Sequence, residues 1–203
     1  MRQEVFTSPA QLAASRGVRV IHSQDCNDPA IVQLLESLNI DVVLSVNVYQ
    51  RMGEALLAAP SVCALNTHFG LLPHYKGMSP VIWAMSNNES RVGITIHEMV
   101  LAFDEGRIVA QEVVEIGERE SVFSVTLRGC VLASRLLLDS LRALDDGTSA
   151  PQAQESGGSY FSLPTKGAIK KLYRVGRKLW RISDFQEAFA VLTREGGTPS
   201  DRQ

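Results

Sequence analysis

The feature of this sequence that most constrains its fold is an alternation of helix openings with short β-branched runs in its first third. Two stretches, 8–16 and 28–39, open with Ser-Pro or Asp-Pro, and apolar runs follow them at 18–22 and 41–47. Ser or Asp before Pro is typical of a helix N-terminus, and short runs rich in Val and Ile are typical of buried parallel strands. The alternation predicts an α/β fold with a doubly wound, Rossmann-like and mostly parallel sheet.

The same patterns predict the remaining elements. We expect a helix at 53–58, a strand at 62–66, a polar loop at 67–79, a helix at 80–87, strands at 92–100 and 106–116, and an amphipathic helix at 121–147. Residues 148–165 are rich in Gly, Ser and Pro and are predicted to be a linker. Helices are expected at 166–180 and 183–192. The predicted organisation is therefore one main domain over 1–147, then a linker and a short helical extension over 148–203.

Composition and charge exclude several classes of protein. The 203 residues are 45% hydrophobic and 21% charged, which is typical of a soluble globular chain. The net charge of -2 gives no electrostatic reason to expect a nucleic acid or an anionic membrane as a partner. No apolar run reaches the roughly 18 residues of a membrane helix, and the N-terminus lacks a signal-peptide core. Three widely spaced cysteines fit a reducing compartment, so we expect a cytoplasmic protein.

The stretch LNTHFGLLPHYKGMSP, residues 65–80, departs from the rules of simple packing. Its strand begins as an apolar run and then presents Asn66 and His68, which point to the same side if both are extended. Polar groups at a buried strand end cost free energy unless they are hydrogen-bonded or bind a ligand. Since open α/β sheets bind ligands at the carboxyl ends of their strands, this end is the candidate site.

An Asn, a His and an Asp that meet in one cleft suit acyl-group transfer. Asn66 can donate a hydrogen bond to a developing oxyanion, and His68 can relay a proton near neutral pH. Asp104, in a predicted turn, can orient the His and favour its charged form. No Ser or Cys stands in a strained elbow, which favours direct transfer to an amine over a covalent intermediate. A purely structural hydrogen-bonded pair is the alternative interpretation of Asn66 and His68.

Residues 65–111 closely resemble the signature of the folate-dependent formyltransferases. The matching positions are Asn66, His68, Leu72, Pro73, Tyr75, Gly77, Gly93, Thr95, His97, Asp104, Gly106, Ile108 and Gln111. A weaker resemblance extends from Ser8 to Leu65. It implies transfer of a formyl group from 10-formyltetrahydrofolate to a primary amine, with 1–147 as the catalytic domain. The family usually has Pro-Ser after the His, whereas this chain has Phe69-Gly70.

The resemblance also implies roles for individual residues. It assigns catalysis to Asn66, His68 and Asp104. The residues expected on the folate are Val48, Tyr49, Gln50, Arg51, Met52, Leu101 and Phe103, and those expected on the acceptor are Tyr75, Lys76 and Gly77. Core packing is the alternative for Tyr49 and Met52, and His97 is interpreted as a bonded core histidine. No two His or Cys residues stand at metal-ligand spacing, so no metal is expected.

The two ends of the chain bear on the acceptor. Family members begin with a strand, a glycine turn, a helix and a second strand before the helix that matches 8–16, so we expect this chain to lack its first strand-helix-strand. The C-terminal region has no run of alternating strands, whereas the transfer-RNA branch carries a β-barrel there. The residues Gly77, Pro80, Trp83 and Ala84 resemble both the transfer-RNA and the amino-sugar branches.

By elimination, the expected acceptor is a small amine, a nucleotide-linked amino sugar. A hydrolase that passes the formyl group to water and a non-catalytic folate-binding domain are the alternatives. The sequence leaves a homo-oligomer open. The basic stretch 166–181 suits either phosphate binding or a solvated surface, and we favour the solvated surface.

Overall fold

The structure is a computed structural model that describes residues 8–186 and 188. Along the chain the elements are α1 (Pro9–Ser15), α2 (Pro29–Ser37), β1 (Val42–Val46), α3 (Glu54–Ala58), β2 (Cys63–His68), β3 (Lys76–Gly77), α4 (Pro80–Ser86), β4 (Arg91–Glu98), β5 (Ile108–Glu115), α5 (Val122–Asp145), β6 (Tyr160–Phe161) and α6 (Lys166–Arg174). Residues 182–186 are helical, and the rest of the helix predicted at 183–192 lies almost wholly outside the described residues.

The predicted helix openings are correct because each one supplies a side-chain cap. Ser8 accepts from the amide of Gln11 and forms a capping box with it before α1. Asp28 caps α2 by accepting from the amide of Ala30, and both helices have Pro at the first helical position. Such caps satisfy backbone N–H groups that have no partner inside the helix.

The main sheet has four strands in the order β1-β2-β4-β5. Only the pairing of β1 with β2 is parallel, while β2–β4 and β4–β5 are antiparallel. The α/β class is as predicted, but within the described residues the sheet is not mostly parallel. For β4 and β5 the reason is that the connection 99–107 is shorter than the crossover of about a dozen or more residues that parallel neighbours need.

The predicted strand at 18–22 is absent. These residues form no ladder, and Val18, Val20 and Ile21 are exposed. A β-branched sequence favours an extended backbone, but a strand also needs a neighbour for its N–H and C=O groups. No strand in the part of the chain described here pairs with residues 18–22, so their β-propensity alone does not form a strand.

The core lies between the sheet and the helices α4, α5 and α6. Its fully buried side chains include Leu65, Ile94, Ile96, Met85, Val125 and Leu172, which come from β2, β4 and these three helices. Burying each such side chain contributes about 1.5–3 kcal/mol. Because β2 and β4 carry much of this packing, the ends of these strands are held on a rigid base.

The segment predicted to be a linker, 148–165, packs back onto the domain. Gln152 exchanges two backbone hydrogen bonds with Ile108 at the start of β5. Further on, β6 pairs in parallel with β3, and the indole Nε1 of Trp83 donates to the Ser162 carbonyl at 2.9 Å. The Gly and Ser residues of segment 148–165 follow an irregular but ordered path, because the backbone of β6 is hydrogen-bonded to β3.

The basic stretch 166–181 is partly built into the structure. The buried Arg177 donates to the carbonyl of Gly117, and Lys171 donates to the side chain of Asn87 at 2.7 Å.

None of the helices in the described part of the chain is long and apolar enough to cross a membrane.

We expect Ser121→Ala to destabilise the protein by about 1–3 kcal/mol, measured by urea unfolding. Ser121 is fully buried, donates to Oδ2 of Asp184 at 2.6 Å and accepts from the amide of Ser124 at 3.1 Å. The variant removes the cap of α5 and a hydrogen bond to a buried carboxylate. Ser134→Ala, at an exposed hydroxyl on the same helix, is the control and should cost within about 0.5 kcal/mol. Equal losses in the two variants would contradict the cap.

Candidate active site

The pairing register of β2 with β4 brings the first two polar side chains together. Asn66 lies directly opposite His97 in this antiparallel ladder, so their side chains share one face of the sheet. Nδ2 of Asn66 is 3.1 Å from Nε2 of His97. Since β2 continues through His68, the His68 ring lies on the same face two residues further on.

The hydrogen bonds of His68 determine which ring nitrogen faces the cleft. Its Nε2 is 2.8 Å from the backbone oxygen of Tyr75. A carbonyl oxygen can only accept, so Nε2 carries a proton. The other nitrogen, Nδ1, is 3.7 Å from Oδ1 of Asp104. Nδ1 is therefore the nitrogen that can exchange a proton beside the carboxylate.

His97 has a similar constraint. Its Nδ1 is 2.8 Å from the carbonyl oxygen of Glu98, so Nδ1 donates and Nε2 is left to face Asn66 and Asp104. In the neutral ring Nε2 accepts from the Asn66 amide, and in the protonated ring it donates to Asp104 Oδ1 at 3.4 Å. An amide nitrogen has two hydrogens, so Asn66 retains a second one when it donates to His97.

Asp104 reaches both rings from the turn between β4 and β5. Its backbone has φ +54°, a left-handed conformation that is uncommon outside glycine. Oδ2 accepts from the backbone N–H of Gly77 at 2.7 Å, while Oδ1 faces the two histidines. The side chain is only 10% exposed. The strained turn thus places a nearly buried carboxylate between two imidazoles and an amide N–H.

Burial and hydrogen bonding shift the pKa values of His68 and Asp104. Burial lowers the pKa of His68 below its ordinary value, although the Asp104 carboxylate and the Tyr75 carbonyl oppose the shift. Burial alone would raise the pKa of Asp104, but the hydrogen bonds with His97 and the Gly77 amide outweigh it and the pKa is lowered. Near neutral pH the site therefore holds an ionised carboxylate beside a neutral His68 ring.

The side chains of Asn66, His68, His97 and Asp104 line a cleft of about 650 Å³, a size typical of small-molecule sites. The cleft is also lined by all seven residues predicted on the folate and by Gly77, which was predicted on the acceptor. Several apolar side chains of this wall are exposed, and they are Val46, Val48, Tyr49, Val100, Leu101 and Phe103. An exposed apolar wall of this kind is typical of a binding surface.

Within this wall, the loop 47–53 is anchored by its own polar side chains. Gln50 accepts from the amide of Cys26 at 2.8 Å and donates to the carbonyl of Gln24. Arg51 donates to the carbonyl of Leu101 at 2.8 Å and lies over the ring of Phe103. Met52 is 93% buried and packs in a small core, so packing accounts for most of its surface.

The structure does not place Tyr75 and Lys76 on the cleft. The hydroxyl of Tyr75 donates to Glu89 at 2.7 Å, and both residues line a second cavity, separate from this cleft. Lys76 is buried where β3 pairs with β6, and its Nζ donates to Glu105 at 3.0 Å. Neither side chain is among those that line this cleft, and a role of Tyr75 and Lys76 in acceptor binding stays a prediction.

Two residues that line the cleft, His97 and Tyr160, were not predicted there from the sequence. His97 was interpreted as a core histidine, and it is indeed 2% exposed, but its bonds go to Asn66 and Asp104. Its place opposite Asn66 is a matter of register, which no local pattern gives. Tyr160 lies in the predicted linker and lines the cleft with 60% of its surface exposed. An aromatic residue in a polar segment was the only available signal.

The arrangement can polarise a carbonyl and move a proton. It offers an amide hydrogen, a neutral imidazole with a free Nδ1, and a carboxylate that stabilises that ring when it is charged. Within the described residues neither imidazole is hydrogen-bonded to a Ser or Cys, and no group of three metal-ligating side chains is present. The fold and site define an α/β enzyme suited to direct acyl transfer.

The chain belongs to the formyl transferase family, whose N-terminal domain model matches residues 1–141. It is similar to PseJ from Anoxybacillus kamchatkensis, a formyltransferase solved with UDP-4,6-dideoxy-4-formamido-L-AltNAc and tetrahydrofolate, at 25% identity and TM-score 0.65, covering 82% of this chain and 86% of PseJ. A sugar N-formyltransferase from a Shewanella species has 25% identity and TM-score 0.65, with 85% and 72% covered. The Mycobacterium tuberculosis protein Rv3404c has 25% identity and TM-score 0.62, with 82% and 80% covered.

We expect His68→Gln to flatten the fall in stability between pH 7 and pH 5, measured as the free energy of unfolding in urea. The pKa of His68 is lowered by folding, so above about 6.5 the ring is neutral in both states. As the pH falls below that value, the unfolded chain binds a proton that the folded site rejects, and stability is lost until the folded pKa is reached.

His74→Gln serves as the matched control, because His74 is exposed on the same loop. It should keep the wild-type slope. Parallel curves for wild type and His68→Gln would mean that the His68 ring is not buried in its neutral form.

Proposed function

We propose that this chain transfers a formyl group from 10-formyltetrahydrofolate to the primary amine of a nucleotide-linked amino sugar. The observation that carries the proposal is the convergence of Asn66, His68 and Asp104 at one end of a cleft whose wall is apolar. Family membership gives the formyl chemistry, and this geometry supplies the groups that such chemistry needs.

The apolar wall fits the flat ring system of a folate. Val48, Tyr49, Leu101 and Phe103 expose between 43% and 70% of their surface, so a bound ring would remove much apolar area from water. The anchored loop 47–53 gives this wall a fixed shape before binding, which lowers the entropic cost of binding. When bound, the folate supplies the formyl group on its N10 atom.

The acceptor class rests on the similar proteins and on the sequence. PseJ was solved with a UDP-linked formamido sugar, and the Shewanella protein is described as a sugar N-formyltransferase. The motif formed by Gly77, Pro80, Trp83 and Ala84 resembles the amino-sugar and the transfer-RNA branches alike, so it fits this acceptor class without selecting it. In addition, the exposed ring of Tyr160 at the cleft offers a stacking surface for a nucleotide base.

In the proposed reaction a nitrogen–carbon bond forms between the amine and the formyl carbon, and the bond from that carbon to N10 breaks. Asn66 donates its second amide hydrogen to the formyl oxygen as negative charge develops there. His68 takes the proton of the attacking amine on Nδ1, and that proton finally resides on N10. Asp104, 3.7 Å from Nδ1, stabilises the imidazolium during the transfer.

The function is tested with 10-formyltetrahydrofolate and UDP-4-amino-4,6-dideoxy-L-AltNAc, the unformylated form of the sugar in the PseJ structure. Wild type should release tetrahydrofolate only when the amine is present, and mass spectrometry should detect the formamido sugar. His68→Ala should lower kcat by about a hundred-fold or more, the usual range for a lost general base.

The control is His74→Ala, which removes an exposed imidazole from the same loop. Its kcat should stay at the wild-type value. An active His68→Ala enzyme would contradict the mechanism. Formate release without the amine would identify a hydrolase, and tight folate binding without turnover would identify a binding domain.

Asp104→Asn should reduce kcat by roughly ten-fold or more and leave the KM for the folate nearly unchanged. The reason is that a charge that stabilises imidazolium matters most in the transition state. Glu105→Gln, which neutralises the adjacent carboxylate that pairs with Lys76, is the control. A variant in which only the folate KM rises would make Asp104 a binding residue.

A further inference from the structure

Residues 152–162, which we name the brace, lie beyond the part of the chain that matches the family model, 1–141. They nevertheless contact the backbone next to the candidate active site, and Tyr160 lines the cleft itself. The brace contacts the turn that carries Asp104 and, separately, the loop that carries Tyr75. Each contact ends on a backbone group. The first belongs to Asp104 itself, and the second belongs to Tyr75, whose carbonyl is bonded to His68.

At the first contact, Gln154 holds the Asp104 turn. Its Nε2 donates to the carbonyl oxygen of Asp104 at 2.7 Å and to that of Gly106 at 2.8 Å. Both hydrogens of the amide are therefore used on the turn, which contains the left-handed backbone of Asp104. The amide oxygen of Gln154 is buried without a hydrogen-bond partner among the described residues. The site tolerates this cost because the two donated bonds fix a conformation that is otherwise unfavourable.

At the second contact, Ser159 holds the Tyr75 backbone. Its hydroxyl accepts from the amide N–H of Tyr75 at 2.9 Å, and the carbonyl of Tyr75 accepts from Nε2 of His68. The ring of Phe161 stacks on the ring of Tyr75 with centroids 5.2 Å apart. Ser159 therefore fixes the residue whose carbonyl selects the proton position on His68.

The pairing of β3 with β6 joins the two contacts. Lys76 donates from its amide to the carbonyl of Ser159, and the amide of Gly77 donates in the other direction, to Asp104. A β-carbon added at Gly77 would collide with the carbonyl of Phe161, so the close approach of the two strands requires glycine. The brace thus supports both the acceptor for the His68 proton and the carboxylate beside its free nitrogen.

We propose that Gln154 and Ser159 are positioning residues of the formyl-transfer site, which set the orientation of Asp104 and of His68. The proposal rests on the proposed function for its catalytic consequence only. The groups that face the His68 ring are Asp104, His97 and the Tyr75 carbonyl. The brace holds the backbone of Asp104 and of Tyr75.

The test compares Gln154→Met, Ser159→Ala and Ser159→Thr with wild type. Met keeps the length of Gln154 without its donors, Ala removes the hydroxyl of Ser159, and Thr restores it. The primary measurement is the pH titration of the His68 ring by NMR, assigned with His68→Ala. It uses the 203-residue chain and requires no acceptor, so it stands even if the sugar proves to be the wrong substrate.

We expect the pKa of His68 to fall further in Gln154→Met and Ser159→Ala, because the Asp104 charge and the Tyr75 carbonyl both raise it in the intact site. Ser159→Thr should titrate like wild type. In the transfer assay the first two variants should lose about ten- to a hundred-fold in kcat, as expected for misplaced reacting groups. Gln152→Met is the matched control, since the side chain of Gln152 is exposed and only its backbone is used.

A lowered melting temperature with an unchanged His68 titration in both variants would overturn the proposal and make the brace a stabilising contact only. If Gln154→Met fails to fold, Ser159→Ala decides the outcome alone. A titration shift that also occurs in Gln152→Met would likewise overturn it, because the effect would then belong to the whole segment.

Discussion

The antiparallel pairing of β2 with β4 is the constraint on which the rest of the site depends. It sets Asn66 opposite His97 and carries His68 on the same face. A shift of one residue would turn these side chains to the other face of the sheet. The buried neighbours Leu65, Ile94 and Ile96 prevent such a shift, because it would expose apolar surface to water.

The site combines a carboxylate and two imidazoles in a region of low exposure, where charge is costly unless it is paired. Asp104 is stabilised as an anion by His97 and by the Gly77 amide, so that it stays ionised near neutral pH. His68 is kept neutral by its burial. As a result, Nδ1 of His68 is free to accept a proton, and the Asp104 carboxylate can stabilise the imidazolium that forms.

The loop after β2 illustrates how one residue can act through its backbone alone. Tyr75 was expected to contact the acceptor, yet its side chain is bonded to Glu89 behind the loop, while its carbonyl orients His68. The left-handed backbone at Tyr75 makes both contacts compatible. The chain beyond the family match then secures this backbone through Ser159, which extends the site into a region that composition alone describes as a linker.

The sequence by itself determined the α/β class, the helices with Ser-Pro and Asp-Pro openings, and the cleft residues Asn66, His68 and Asp104, because caps, periodicity and motif spacing are local properties of the chain. Tertiary structure decided that 18–22 is not a strand, that His97 joins the site and that the brace packs on it. Each of these depends on a partner distant in the chain. Hydrogen bonding and burial between such segments are set by register and packing, which no local pattern specifies.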